Sequence, residues 1–255
     1  MNRHLANEQY LMADWPAPAS VQAFTTLRSG GVSSGAYARF NLGLRSGDAL
    51  ASVTTNRQRL MDDWGWSHPP QWLEQVHGAE VVTAQPDGQE RQGDAVVSTE
   101  VEQPCVVLTA DCLPVLFCHT AGTVVAAAHA GWKGLAAGVL ENTVKAMRCS
   151  PAQIMAWLGP AISQPCFELG PEVREAFVQK NPKMADAFVA GKADRWHGDL
   201  YQLARLALNT AGVTQVYGGG FCTVTDDQRF FSYRRDGQAS GRMAAVISLR
   251  KSTDQ

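Results

Sequence analysis

No apolar run in the sequence approaches the ~20 residues that a bilayer-spanning helix needs. The opening residues, MNRHLANEQYLMADWP, hold no apolar signal core. Excess charge is also missing: 22 Lys and Arg against 24 Asp and Glu leave a formal net charge of -2. That is too little to recruit nucleic acid or an anionic membrane. There are six cysteines but no CxxC pair, which argues against a zinc ribbon and a thioredoxin-type redox motif. No repeat, low-complexity tract or linker divides the 255 residues, a length that buries a substantial core. The expectation is one cytoplasmic domain over residues 1–255, with reduced thiols and no nucleic-acid or membrane partner. The charge balance suits a monomer or a homodimer. Cys105, Cys118 and Cys149 read as small buried hydrophobes.

What is present centres on residues 105–134, CVVLTADCLPVLFCHTAGTVVAAAHAGWKG. Apolar, β-rich runs at 105–109 and 114–118 flank the polar break Ala110-Asp111-Cys112. A third run, 123–128, stops at His129-Ala130-Gly131-Trp132-Lys133-Gly134. A Cys and a His thus each stand where a buried strand ends, a common place for reactive groups. Further strands are expected at 21–26, 71–76, 80–84, 94–99, 154–158, 213–217, 228–233 and 243–250. Helices are expected at 53–63, 171–179, 199–211 and, most clearly, 134–148, where Leu135, Val139, Leu140, Val144 and Met147 form a stripe at helical spacing. Strands outnumber helices and do not alternate with them regularly. That favours an α+β fold with mixed sheets over a doubly wound one.

Of the six histidines, His4, His68 and His197 lie in polar or terminal stretches and read as solvent-facing. His77, in Gln75-Val76-His77-Gly78, and His129 each follow an apolar run and precede small residues, which let another group approach the backbone. One reading joins His77, Cys112 and His129 as zinc ligands, with a fourth position open for water. The metal would lower the water's pKa toward ~7. The other makes Cys112 a nucleophile with a His as its base. Asp94 and Asp111, both at strand ends, are candidates to orient a ligand His or to act as general acid or base. Either also suits a turn-forming Asp.

Cations cluster near glycines: Arg28, Arg45, Lys133, Arg234, Arg235 and Arg242. Guanidinium forks over open Gly backbone suit phosphate or carboxylate, so an anionic substrate is expected. Trp132 could stack on a planar ring.

The runs QVHG (75–78), TADCLPVLF (109–117), AAAHAGWKG (126–134), LGPAI (158–162), FFSYRRDG (230–237) and SGR (240–242) resemble the YfiH-like family, also called the multicopper polyphenol oxidase or laccase-domain family. RSGGVS (28–33), NLG (41–43), GD (47–48) and NR (56–57) fit it too, so the resemblance covers about residues 15–250. It implies a single α+β domain and zinc ligands at His77, Cys112 and His129. It also implies a purine nucleoside enzyme: phosphorolysis of adenosine, inosine, guanosine and methylthioadenosine, and deamination of adenosine, with nucleosides and phosphate as partners. The chain departs from the family pattern at Leu27, where Thr is frequent, and at Arg45, where His is common. His119 stands near the central motifs as a possible extra ligand.

A blue copper plus a three-copper cluster needs more imidazoles than the six histidines here supply. Copper at the same three ligands stays open, because copper outcompetes zinc in intrinsic affinity, and with it a polyphenol oxidase activity. Also open are Cys112-dependent amide or peptide hydrolysis, and a closed structural metal site in a binding module with Cys118 or His119 as fourth ligand.

Overall fold

The computed structural model describes residues 9–251. Two large sheets lie face to face, and helices cover their outer sides. The N-terminal half supplies β1 (Tyr10–Met12), β2 (Val21–Thr26), α1 (Leu50–Trp64), β3 (Leu73–Glu74), β4 (Val81–Thr83), β5 (Arg91–Gln92) and β6 (Ala95–Ser98). The centre supplies β7 (Cys105–Thr109), β8 (Leu113–His119), β9 (Val125–Ala130), α2 (Trp132–Ala137), α3 (Val139–Ala146) and β10 (Ile154–Leu158). Then come β11 (Glu168–Leu169), α4 (Pro171–Val178), β12 (Phe188–Ala190), β13 (Trp196–Gly198), α5 (Leu200–Thr210), β14 (Gln215–Gly218), α6 (Tyr233–Asp236) and β15 (Met243–Leu249).

One sheet has the order β1-β2-β15-β7 and is antiparallel throughout. The other has the order β14-β10-β8-β9-β6-β4, antiparallel in the middle and parallel at both edges. Between them pack Ala23, Val107, Ala245 and Ile247 from the first and Leu116, Ala127, Met155 and Trp157 from the second. The far side of the second sheet, through Val115, Phe117 and Ala128, meets Val139, Leu140, Leu203 and Ala207 of α3 and α5. The far side of the first, through Phe24, Val106 and Val246, meets Leu60 of α1. Both faces of β8 are therefore buried, which is why its sequence is a continuous apolar run and not an alternation.

The α+β expectation with mixed sheets in a single domain holds, and most expected elements fall within a few residues of place. Two differ for physical reasons. The 134–148 helix is two helices, because the chain takes φ 91° at Gly138, a left-handed conformation that ends one helix and starts the next. Residues 228–233 are not a strand. Phe230 and Phe231 are buried as loop residues against Leu27 and Met243, and Ser232 then caps α6 by accepting from the Arg235 N–H. Among the described residues no helix is long and apolar enough to cross a membrane.

Candidate active site

Ladder register places two of the candidate ligands. β8 and β9 pair Leu113 with Ala130 and Pro114 with His129, so Cys112 lies just before β8, beside Gly131. Side chains alternate along β9. His129 therefore shares the face of Val125 and Ala127, which looks toward the other sheet. The expectation put His129 beyond its strand; it is the penultimate residue within it. His77 arrives from the loop after β3, where the backbone turns with φ 61°. A Cβ on Gly131 would stand 2.8 Å from Cys112 Sγ and 3.4 Å from His77 Cδ2, so a side chain there would crowd the group.

The ligand atoms of His77, Cys112 and His129 all lie within 4.8 Å of one another. Two imidazoles and a thiol in that space suit an ion with bond lengths of roughly 2.0–2.3 Å. No other group of three or more His, Cys, Asp or Glu among the described residues could hold a metal.

Asp94 organises this group from behind. It is 0% exposed. Its carboxylate accepts from the backbone N–H of Val76 (3.2 Å), His77 (2.9 Å) and Gly78 (2.6 Å), and from His129 Nδ1 at 2.9 Å. Burial opposes the charge, but these donors outweigh it and hold the Asp94 carboxyl below its usual range. With Nδ1 committed to Asp94, His129 presents Nε2 forward. Gln75 fixes the other side of the loop, donating to the Leu108 carbonyl at 2.8 Å and accepting from its N–H at 2.7 Å. Burial also opposes a Cys112 thiolate, yet the neighbouring His129 and His77 pull the thiol below its ordinary value. The same sulfur and Asp94 push His129 up against the effect of its burial.

The group forms part of the wall of a cavity of about 570 Å³, within the usual range for a small-molecule site. Asp111, Arg45, Arg234, Arg242 and Trp132 also line it. Asp111 adopts φ 97°. Its carboxylate accepts from Thr223 Oγ1 (2.5 Å) and from the backbone N–H of Arg234 (2.6 Å).

Several expectations are corrected. Arg28 does not line the cavity. Its three side-chain nitrogens are spent on the carbonyls of Ala38 and Asp227. Lys133 is exposed, with Nζ 5.7 Å from the Trp132 ring, and stays outside. Asp94, expected as a proton shuttle or an orienting residue, does not line the cavity: it is 0% exposed and its carboxylate meets four donors, a geometry that orients His129 and does not reach a substrate. Arg235 is paired with Asp236 at 2.7 Å. His119 and Cys118 sit at the far end of β8, so neither can be a fourth ligand. His68 and His197 are half-buried and do not line the cavity; His4 lies outside the described residues.

Some lining residues carried no expectation of a role. Thr109 has a hydroxyl that is buried without a partner, although it begins the TADC run. Tyr233 and Phe167 add aromatic wall. Arg57 falls in the expected 53–63 helix and in the family-like NR run, with no role attached to it, and it faces the cavity from α1.

Fold and site together define an α+β protein of two apposed sheets with a His–Cys–His group in the wall of a small-molecule-sized cavity. The chain belongs to the family described as multi-copper polyphenol oxidoreductase laccase, which matches residues 22–250. It is 49% identical over 241 residues to a protein of Escherichia coli strain K12 named purine nucleoside phosphorylase YfiH, covering 94% of this chain and 98% of the relative. A purine nucleoside phosphorylase of Haemophilus influenzae is 46% identical with the same coverage. A crystal structure of a Neisseria meningitidis protein superposes with TM-score 0.91 at 49% identity, covering 95% of this chain and 99% of that one. YlmD from Geobacillus stearothermophilus gives 0.89 at 29% identity, covering 95% and 97%.

Proposed function

We propose that this chain is a purine nucleoside phosphorylase that acts on adenosine, inosine, guanosine and methylthioadenosine and also deaminates adenosine, with zinc at His77, Cys112 and His129. The observation that carries this is the convergence of that donor set with cationic and aromatic side chains around one cavity. The names of the relatives support it. Zinc at these donors supplies Lewis-acid polarisation and acidifies water; copper fits the same donors.

In this reading Trp132, Phe167 and Tyr233 flank the flat base. Cavity arginines, Arg242 among them, hold phosphate. A phosphate oxygen bonds to C1′ of the ribose as the bond from C1′ to the base nitrogen breaks. The electron pair leaves on the purine, which takes up a proton. In deamination a water adds at C6, and the amino group leaves as ammonia. Asp111 is the cavity carboxyl assigned to move these protons; each of its oxygens keeps a second lone pair beyond the bond it accepts.

The test is incubation of metal-assayed protein with each nucleoside, with and without phosphate. Free base with ribose-1-phosphate appears only when phosphate is present, and inosine forms from adenosine without it. No product from metal-loaded protein in any arm overturns the reading.

One observation favours a second reading. Cys112, His129 and Asp94 stand in series, thiol to imidazole to buried carboxylate, which is also the order of a nucleophilic triad. Amide hydrolysis at Cys112 predicts covalent trapping of the thiol by an electrophilic substrate. Coordination predicts protection of the thiol by bound metal.

A further inference from the structure

Arginines near the cavity fall into two groups. In one, the charge is already answered. Arg45 pairs with Glu90 at 2.7 Å and Arg229 with Asp226 at 2.5 Å. Arg234 has no acid in contact, but both its terminal nitrogens are spent on the carbonyls of Cys166 and Glu168, which leaves neither free for a ligand. Arg57 and Arg242 form the other group. Both line the cavity. Among the described residues, neither has a carboxylate oxygen within 4.0 Å.

The two are built onto one residue. Arg57 Nε donates to the Leu42 carbonyl at 2.9 Å, and the Leu42 N–H donates to the Arg242 carbonyl at 3.1 Å. The chain then passes so close that a Cβ on Gly43 would stand 2.6 Å from Arg242 Cγ. Asn56, buried beside Arg57 on α1, clamps the same loop by donating to the carbonyls of Arg39 and Asn41. Leu42 is itself fully buried, so the Arg57 side chain and the Arg242 backbone are both anchored to a core residue.

Arg57 is also held by its face. Its guanidinium carbon lies 3.8 Å from the centroid of the Trp72 ring. That leaves the in-plane N–H groups of its terminal nitrogens with no acceptor among the described residues. A stacked, planar fork with free N–H groups is preorganised for an oxoanion. Arg242 spends Nη1 on the carbonyls of Ser240 and Gly241 and keeps Nη2 free. Burial lowers the pKa of Arg57 to about 10 and also lowers that of Arg242. Glu90 acts on Arg57, and Cys112 and Asp111 on Arg242, only from beyond contact distance, so both charges are partly desolvated with no carboxylate in contact, an arrangement whose cost a bound anion reduces.

We propose that Arg57 and Arg242, two arginines in the wall of one cavity, form the subsite for inorganic phosphate. Naming inorganic phosphate rests on the phosphorolysis reading above. The geometric argument for an oxoanion does not.

The test uses full-length protein and the variants Arg57→Met, Arg57→Lys and Arg242→Met. Thermal shift and calorimetry are run with inorganic phosphate and, separately, with inosine 5′-monophosphate; phosphorolysis kinetics are measured with inosine. Phosphate should raise the melting temperature of the wild type, and Arg57→Met should abolish that rise. In phosphorolysis, Arg57→Met should raise KM for phosphate by about 10-fold or more and leave KM for inosine within about twofold. Arg57→Lys keeps the charge and the stem but loses the fork, so it should recover only part of the loss. Its far-UV spectrum shows whether position 57 tolerates change where Arg57→Met does not fold. Phosphorolysis with an unchanged KM for phosphate in Arg57→Met, or in Arg57→Lys where only that variant folds, overturns the subsite and leaves the function intact. Phosphate binding that is lost in Arg57→Met, without any phosphorolysis by the wild type, overturns the function and leaves the oxoanion site. A thermal shift with the nucleotide and none with inorganic phosphate overturns the proposal.

Discussion

The cavity has two unlike walls. The wall carrying His77, Cys112 and His129 is built from strand ends and one saturated carboxylate. Its polar atoms are answered from within, apart from those that face the centre. The wall carrying Arg57 and Arg242 is built from a helix face and loops, and its cations are held by carbonyls and an aromatic ring, not by acids. The first offers donor atoms to a cation and the second offers N–H groups to an anion. The difference teaches that the donors and charges a partly buried cluster leaves uncommitted indicate the kind of ligand it takes.

Four perturbations test that contrast, in order of expected size. Cys112→Ala should remove bound metal and lower nucleoside turnover by about a thousandfold or more, while phosphate still raises the melting temperature. Elemental analysis and thermal shift on one preparation read both walls at once, and loss of both responses together would show that they are not independent. Asp94→Asn should weaken metal affinity by about 10–100-fold. It should also lower stability, because an amide nitrogen would face backbone donors that now meet a carboxylate; chelator competition and urea unfolding measure the two effects. Gly131→Ala should cost about 1–3 kcal/mol by overpacking and loosen metal binding without changing the response to phosphate. Arg28→Ala should cost only about 1–2 kcal/mol, through lost hydrogen bonds to Ala38 and Asp227. It should leave both KM values within about twofold, since Arg28 belongs to neither wall.

Legibility in the sequence followed burial and spacing. Residues 105–109 and 154–158 read as strands because both faces are buried and the apolar run is unbroken. Residues 228–233 misled because Phe230 and Phe231 are apolar without belonging to a ladder. The break at Gly138 was hidden because the apolar stripe runs straight through it. At the site, Cys112 and His129 were visible as polar residues closing apolar runs. His77 joined them in one of two open readings, also by following an apolar run, and the resemblance favoured that reading; no short ligand pair links it to the others, and the loop is held by a carboxylate 16 to 18 residues away. Asp94 was visible as an orienting residue, but its role as proton shuttle fails once its four donors are seen. Arg57 was visible in the family-like NR run, but its place in the cavity was not, because nothing in an arginine on a helix tells which way it faces. Only the Trp72 ring and the Leu42 carbonyl mark it out.

The pairing of Pro114 with His129 also sets where the gene can change length. Strand side chains have a period of two, so one residue inserted between Leu113 and Phe117, or between Ala126 and His129, turns every later side chain to the opposite face and breaks up the donor set. The connection from Thr120 to Val124 lies at the other end of the same hairpin, outside both strands. A codon added there leaves the ladder unchanged. The protein should therefore tolerate insertion at that turn far better than inside the strands it joins, and a library of single-codon insertions scored for metal content should show that boundary.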